Sequence, residues 1–271
     1  MSEDHRGHLT ALAAGKARGV LSSLMLKHPC EMEIEDIAWS LGLIVKEVDL
    51  EGCDGRLVRN SDRGIISINR NVLELGRKRL TVAHEIGHFI LHKETRPIES
   101  YSESLLFNYG LQREEELEAN VFAAELLMPS ELLQPKCQAE ASLDLIRDIA
   151  NEFQVTLTAA AMRYVEFTKS QCALVFSKDG KIQWYKKSES FAYPVYPGTL
   201  LTPGSYARDL FEGKPPQKKK EQVFAKDWFT GPKINDNAPL WEESIFFQRY
   251  NSVLSLLSIE QELWLEKSDY W

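Results

Sequence analysis

Between Arg77 and His92 the chain carries His84-Glu85-Ile86-Gly87-His88, flanked by Val82, Ala83, Phe89, Ile90 and Leu91. No other segment constrains the fold as much, because its two histidines can act together only on a helix. A helix sets residues four apart on one face, about 6 Å along the axis, so His84 and His88 can turn their imidazoles to one metal ion. Glu85 is rotated off that direction, which suits a base that activates water better than a ligand. The spacing predicts a helix over about 77–92, with Leu80, Ala83, Ile86 or Gly87, and Ile90 or Leu91 on its buried side. Gly87 is expected to clear space next to the ion. The plain alternative is an exposed helix with two solvated histidines, and the apolar flanks speak against it.

Zinc takes a third protein ligand and keeps one position open for water. The histidines are His5, His8, His28, His84, His88 and His92, and none follows His92. His92 continues the helical row but lies about 12 Å along the axis from His84, too far to share its ion. A downstream His-x-x-Gly-x-x-His extension is also absent, since Leu91 and Glu94 occupy those places. A carboxylate is therefore expected, and Glu114-Glu115-Glu116-Leu117-Glu118-Ala119-Asn120 supplies candidates. Val121, Phe122, Ala124 and Leu127 or Met128 mark the buried side of that helix, which Pro129 halts. Glu116 lies one turn before Asn120, so a ligand and a polar orienting group share one face. Glu116 is the expected third ligand, while Glu114, Glu115 and Glu118 read as a solvated face. Zinc is the expected metal, with manganese as the alternative.

Around these helices the periodicity predicts an α+β fold. Leu9, Leu12, Ala13, Val20, Leu21, Leu24 and Met25 form one stripe of a helix ended by Pro29, and Ile34, Ile37, Ala38 and Leu41 form a second, shorter one. From Leu43 to Asn69 the period falls to two, with turn-formers at Gly52, Asp54-Gly55 and Asp62-Arg63-Gly64, as three short strands require. The strand over Gly64 to Asn69 is expected to offer an edge to an extended substrate. Lys93 to Gly110 reads as a long loop, and helices follow near 143–153 and 157–167. Lys178-Asp179-Gly180 then joins two strands, and Ser244–Gln248 and Val253–Ile259 read as two more around Tyr250-Asn251. The composition shift near residue 170 suggests a first domain over 1–170 (small sheet plus helices) and a smaller β-rich domain over 171–271, of regulatory or substrate-binding role.

The formal net charge of −8 speaks against a chain whose main work is to coat phosphate backbones, so direct nucleic-acid binding is not expected. Cys30, Cys53, Cys137 and Cys172 form no Cys-x-x-Cys pair and read as reduced thiols. The Leu9–Ala14 run is too weak for a signal peptide and too short for a membrane span, so a cytoplasmic protein without membrane partners is expected. Arg77, Lys78 and Arg79 oppose the helix dipole and are expected to face solvent or a partner. Lys218, Lys219 and Lys220 read as a solvated turn. Trp184, Trp228, Trp241, Trp264 and Trp271 are expected mostly to fill a small β-rich core. Tyr101, Tyr109, Tyr164 and Arg163 are open candidates for stabilising an oxyanion.

Arg77-Lys78-Arg79-Leu80-Thr81-Val82-Ala83-His84-Glu85-Ile86-Gly87-His88, together with Glu116-Leu117-Glu118-Ala119-Asn120-Val121-Phe122-Ala123-Ala124-Glu125-Leu126-Leu127-Met128-Pro129, resembles the ImmA/IrrE family of metallopeptidases. Two linked motifs at a fitting separation are far more specific than either alone. A weaker likeness runs from Ile34 through Ile68 and into Phe153-Gln154-Val155-Thr156. The resemblance implies a zincin-like fold, His84, His88 and Glu116 as ligands, and Glu85 as base. It also implies a protein substrate, typically a helix-turn-helix repressor of stress-response or mobile-element genes. Many such proteins carry their own helix-turn-helix ahead of the peptidase. No room for one is seen before residue 30, which points to a separately encoded repressor. The rival expectation is a non-catalytic metal-binding sensor or anti-repressor that works by docking.

Overall fold

The computed structural model describes residues 3–92, 98–100, 114–216, 219–229 and 234–260. Contacts divide the chain into one unit of Met1–Leu132 with Ile149–Ala159 and another of Leu133–Asp148 with Ala160–Trp271. Residues 160–170, which precede the composition shift, lie with the second unit.

The first unit opens with helix α1 (Glu3–Ser23), whose buried stripe is Ala13, Ala17, Val20 and Leu21. The expected stripe ran on to Met25, but the helix stops earlier. Met25 takes φ +57° and the Leu26 amide reaches back to the Leu21 carbonyl at 3.0 Å, a left-handed helix end that terminates the element before Pro29 acts. Helix α2 (Ile34–Ser40) buries Ile34, Ile37 and Ala38.

Strands β1 (Leu43–Val48), β2 (Gly55–Asn60), β3 (Arg63–Asn69) and β4 (Ile98–Ser100) then form a mixed sheet in the order β1-β3-β2-β4. Strand β1 runs parallel to β3, and the other pairings are antiparallel. Leu57, Ile66 and Ile68 are buried while Val58 and Ile65 are exposed, the alternation of a sheet with one covered face. Ile65 pairs with Ile44 on one side and Val58 on the other, so β3 is an interior strand. The substrate edge expected along Gly64–Asn69 is therefore wrong: chain order does not set strand order, and both sides of β3 are already hydrogen-bonded. Helices α3 (Leu75–Leu91) and α4 (Glu114–Leu127) complete the arrangement. Of the expected loop, only Ile98–Ser100 is described, and Tyr101 and Tyr109 lie outside the described residues.

The second unit takes up from α5 (Ser130–Leu133) at Leu133. It holds parts of α6 (Leu143–Phe153) and α7 (Leu157–Phe167), whose residues 149–159 belong to the first unit. Its sheet is antiparallel, β6-β5-β9-β8-β7, from β5 (Cys172–Lys178), β6 (Lys181–Lys187), β7 (Glu221–Phe224), β8 (Pro239–Phe247) and β9 (Ser252–Ser258), with a short helix α8 (Tyr206–Phe211). Asp179 and Gly180 take φ +51° and +75°, the pair of left-handed residues that a tight hairpin needs.

Tyr193, Phe191, Trp228 and Phe229 sit in the apolar core of this unit. Trp184 is also buried, whereas Trp264 and Trp271 lie outside the described residues. Lys220 is not the solvated residue expected: it pairs with Glu140 and stands 5.1 Å over the Trp241 ring. Among the described residues no helix is long and apolar enough to cross a membrane.

Candidate metal centre

Helix α3 buries every residue from Arg79 to His88. Strand β2 runs alongside it in the same direction and grips it at both ends. Near its start, Arg77 donates to Asp54 Oδ2 through Nε at 2.8 Å and Nη2 at 2.6 Å, a pair largely withdrawn from solvent. Near its end, Arg59 donates to the Phe89 carbonyl at 3.0 Å and also to that of His92, with its guanidinium 4.6 Å from the Phe89 ring. A cation on the last carbonyls of a helix complements its dipole. Between these grips, a Cβ on Gly55 would stand 2.5 Å from Thr81 Cγ2 and 3.1 Å from Glu85 Oε1. Only a glycine lets β2 come this near the Glu85 carboxylate.

The cluster at the start of α3, expected to face solvent or a partner, instead meets groups of the same unit. Arg77 is tied to Asp54, Lys78 pairs with Glu47, and Arg79 is 1% exposed with Nη2 3.7 Å from Cys30 Sγ. The dipole argument fails for Arg77 and Lys78 because acidic partners from the sheet side of the fold offset their charges.

The second helix arrives through Gly87. A Cβ there would lie 3.1 Å from both Cα and O of Ala119 and 3.2 Å from Phe122 Cβ. Gly87 therefore serves the contact with α4 and not, as expected from the sequence, the space around an ion. Close approach carries Glu116 and Asn120 to the histidines. His84 Nε2 lies 2.9 Å from His88 Nε2, and Glu116 sets one oxygen 3.4 Å from each. Asn120 Oδ1 lies 2.8 Å from His84 Nδ1. Each of His84, His88 and Glu116 offers a ligand atom within 4.8 Å of the others, and they form the one such group among the described residues.

The donor set fits a divalent metal. An amide oxygen only accepts, so His84 Nδ1 carries a hydrogen and Nε2 of the neutral ring is bare. That lone pair meets a second imidazole nitrogen and a carboxylate, a set that a cation between them would satisfy. Two imidazoles and one carboxylate make a recognised zinc set, and Glu116 keeps 32% of its side-chain exposure, leaving an open side.

The proton equilibria point the same way. Burial alone would lower the His84 pKa, but the Glu116 hydrogen bond and the Glu85 and Glu116 charges outweigh it and leave it raised. Burial takes His88 down to about 4 despite Glu116. Burial would raise Glu116, yet its hydrogen bonds to His84 and His88 hold it far below the usual carboxylate range. The two rings are thus pushed in opposite directions, His84 toward holding a proton and His88 toward losing one.

Glu85 is fully buried and stands outside the three-residue group, on the side facing β2. The expected solvated face does not hold for Glu118. Its carboxylate lies 3.1 Å from His92 Nε2, and His92 Nδ1 lies 3.0 Å from His88 Nδ1. His92 stays out of the group, as its distance along the helix requires, but it contacts a member. The sequence carried the signal, a third histidine in the same helical row. Two oxyanion candidates are otherwise engaged: the Tyr164 hydroxyl donates to the Ala139 carbonyl at 2.9 Å, and Arg163 pairs with Glu166 at 3.0 Å.

Helix-borne histidines facing a carboxylate from a neighbouring helix, with a mixed sheet behind them, are characteristic of metallopeptidase-like domains. Residues 39–164 match the Peptidase_M78 family, described as the IrrE N-terminal-like domain, and this match supports the ImmA/IrrE resemblance of the two motifs. No curated protein matches the chain. Its structure resembles that of a Mycobacterium tuberculosis transcriptional regulator, with a TM-score of 0.57 and 14% identity, over 94% of this chain and 78% of that one. At that identity the likeness is one of fold.

Proposed function

We propose that this protein is a zinc-dependent endopeptidase, with His84, His88 and Glu116 as metal ligands and Glu85 as the catalytic base. Manganese is the alternative metal. The observation that carries this reading is the convergence of His84 Nε2, His88 Nε2 and the Glu116 carboxylate. Zinc at such a site supplies a Lewis acid for a peptide carbonyl and makes a water acidic enough to attack near neutral pH. A Glu85 oxygen takes the proton of the attacking water and delivers it to the leaving amine nitrogen. Gly55 and the Arg77–Asp54 pair hold the helix against β2, and so hold Glu85 in register with the substrate. Strand β4 pairs with β2 and is the last described strand of the sheet, so an extended peptide adding to β4 would lie along the same side.

The substrate is a protein, and a separately encoded helix-turn-helix repressor of a stress-response or mobile-element system suits the family best. The place of action is the cytoplasm, in keeping with Cys30, Cys53, Cys137 and Cys172 standing outside any disulfide. The test is to incubate zinc-loaded protein with repressors encoded beside its gene and look for a single cut. Wild type should cut one of them and Glu85→Gln should not. If the two behave alike toward every candidate, catalysis at Glu85 is wrong. Relief of repression by Glu85→Gln without any cut would favour the rival reading of an anti-repressor that docks.

A further inference from the structure

His88 turns one ring nitrogen to the metal centre, and its other nitrogen is not left to water. His88 Nδ1 lies 3.0 Å from His92 Nδ1, and His92 Nε2 lies 3.1 Å from Glu118 Oε2. The His92 and Glu118 side chains are only 9% and 13% exposed, so solvent competes little for these contacts. We propose that His92 and Glu118 are positioning residues of the metal centre: Glu118 sets the tautomer of His92, and His92 sets the tautomer and ring plane of His88. This rests on the reading of His84, His88 and Glu116 as metal ligands.

The constraints run in one direction. An ionised carboxylate only accepts, so His92 Nε2 carries the hydrogen given to Glu118. With the His92 ring in its neutral form, Nδ1 is bare and accepts from His88 Nδ1–H. The bare nitrogen of His88 is therefore Nε2, the atom 2.9 Å from His84 Nε2 and 3.4 Å from Glu116 Oε1. Asn120 does the same for His84 directly. Both imidazoles thus present a lone pair to the same point, each locked from behind.

The scaffold holds this relay in place. The His92 amide donates to the His88 carbonyl at 3.0 Å, and Arg59 on β2 donates to the His92 carbonyl. A hydrogen bond to a negatively charged group also makes His92 a better acceptor, which raises the electron density on His88. A third histidine in the row thus has a use: too distant to ligate, it reaches the far nitrogen of His88.

The test uses the full chain. With the metal removed by a chelator, 15N NMR of labelled histidines should show His88 protonated at Nδ1 and bare at Nε2. His92→Phe should lose that bias. Zinc affinity measured by chelator competition should fall about 10–100-fold in His92→Phe while one zinc per chain is still bound. Glu118→Gln, which keeps an oxygen acceptor without the charge, should fall by less. It carries the same comparison if His92→Phe does not fold, and unchanged thermal unfolding of the metal-free variants separates positioning from loss of structure.

A wild-type His88 protonated at Nε2, or variants that bind zinc as tightly as wild type, would overturn the proposal. If wild type takes up no zinc, the ligand reading itself has failed. The NMR of metal-free His88 still decides whether the relay exists.

Discussion

Asn120 Oδ1 accepts from His84 Nδ1 at 2.8 Å across the junction of α3 and α4. The contact exists because Gly87 lets Ala119 approach to backbone distance, and it leaves His84 Nε2 as the free donor of a lone pair. Asn120→Leu keeps the bulk and removes the acceptor. Zinc affinity by chelator competition should weaken about tenfold, with one zinc still bound per chain. Unchanged affinity would deny Asn120 an orienting role.

Gly55→Ala tests how β2 holds Glu85. The new methyl would meet Thr81 Cγ2 at 2.5 Å and Glu85 Oε1 at 3.1 Å, so the helix or the carboxylate must shift. Overpacking of this kind costs about 1–3 kcal/mol, readable by denaturant unfolding. Cleavage should fall by more than zinc affinity does, because the displaced group is the base and not a ligand. Equal losses in both would place Gly55 in general stability instead.

The metal-free centre should bind zinc in competition with one proton. His84 has a raised pKa, so it contributes stability that is fully present below the ordinary histidine range and lost as pH rises through the raised value. His88, lowered to about 4, is already neutral through most of the acid range, and its effect has the opposite sign: stability is lost as pH falls toward 4. Below the raised pKa of His84, zinc affinity should therefore fall about tenfold per pH unit, with about one proton released per zinc. Calorimetry in buffers of different ionisation enthalpy reads that proton. A pH-independent affinity between about pH 5 and 7 would show that no proton is displaced.

In the second unit, Glu242 is fully buried and accepts from Trp228 Nε1 at 2.7 Å, the Ala207 amide at 2.7 Å and Ser244 Oγ at 2.7 Å. Burial raises its pKa against these donors. Glu242→Leu would leave the indole and the amide without that acceptor and should cost about 3 kcal/mol or more in denaturant unfolding. A cost near zero would mean that the burial of the carboxylate offsets all its hydrogen bonds.

That His84 and His88 share one face, and Glu116 and Asn120 another, was legible in the sequence because helical spacing decides which side chains lie together. The same rule found the apolar side of α2, but on α4 it misplaced part of the buried face: Val121 and Ala124 are only half-buried, while Leu117, Ala123 and Leu126 are buried. It misread what depends on a partner. Gly87 looked like room for an ion, yet the neighbour it admits is Ala119. Arg79 looked solvated, yet it is buried beside Cys30, far away in the chain. Strand β3 looked like an edge, because periodicity shows which face is buried but not which strands lie alongside. Strand β7 and helix α8, four and six residues long, are too short to carry a periodic signal. Glu118 shows the same limit, since nothing in its own helix indicates that it meets His92.

The metal centre is tested most directly by X-ray absorption at the zinc edge on the zinc-loaded protein. Wild type should show one zinc with two imidazole nitrogens at about 2.0–2.1 Å and a carboxylate oxygen at about 2.0–2.2 Å. Glu85→Gln should give the same spectrum while losing cleavage, and Glu116→Ala should lose the carboxylate contribution. A sulfur ligand near about 2.3 Å, fewer than two imidazoles, or a Glu116→Ala spectrum identical to wild type would contradict the assigned ligands.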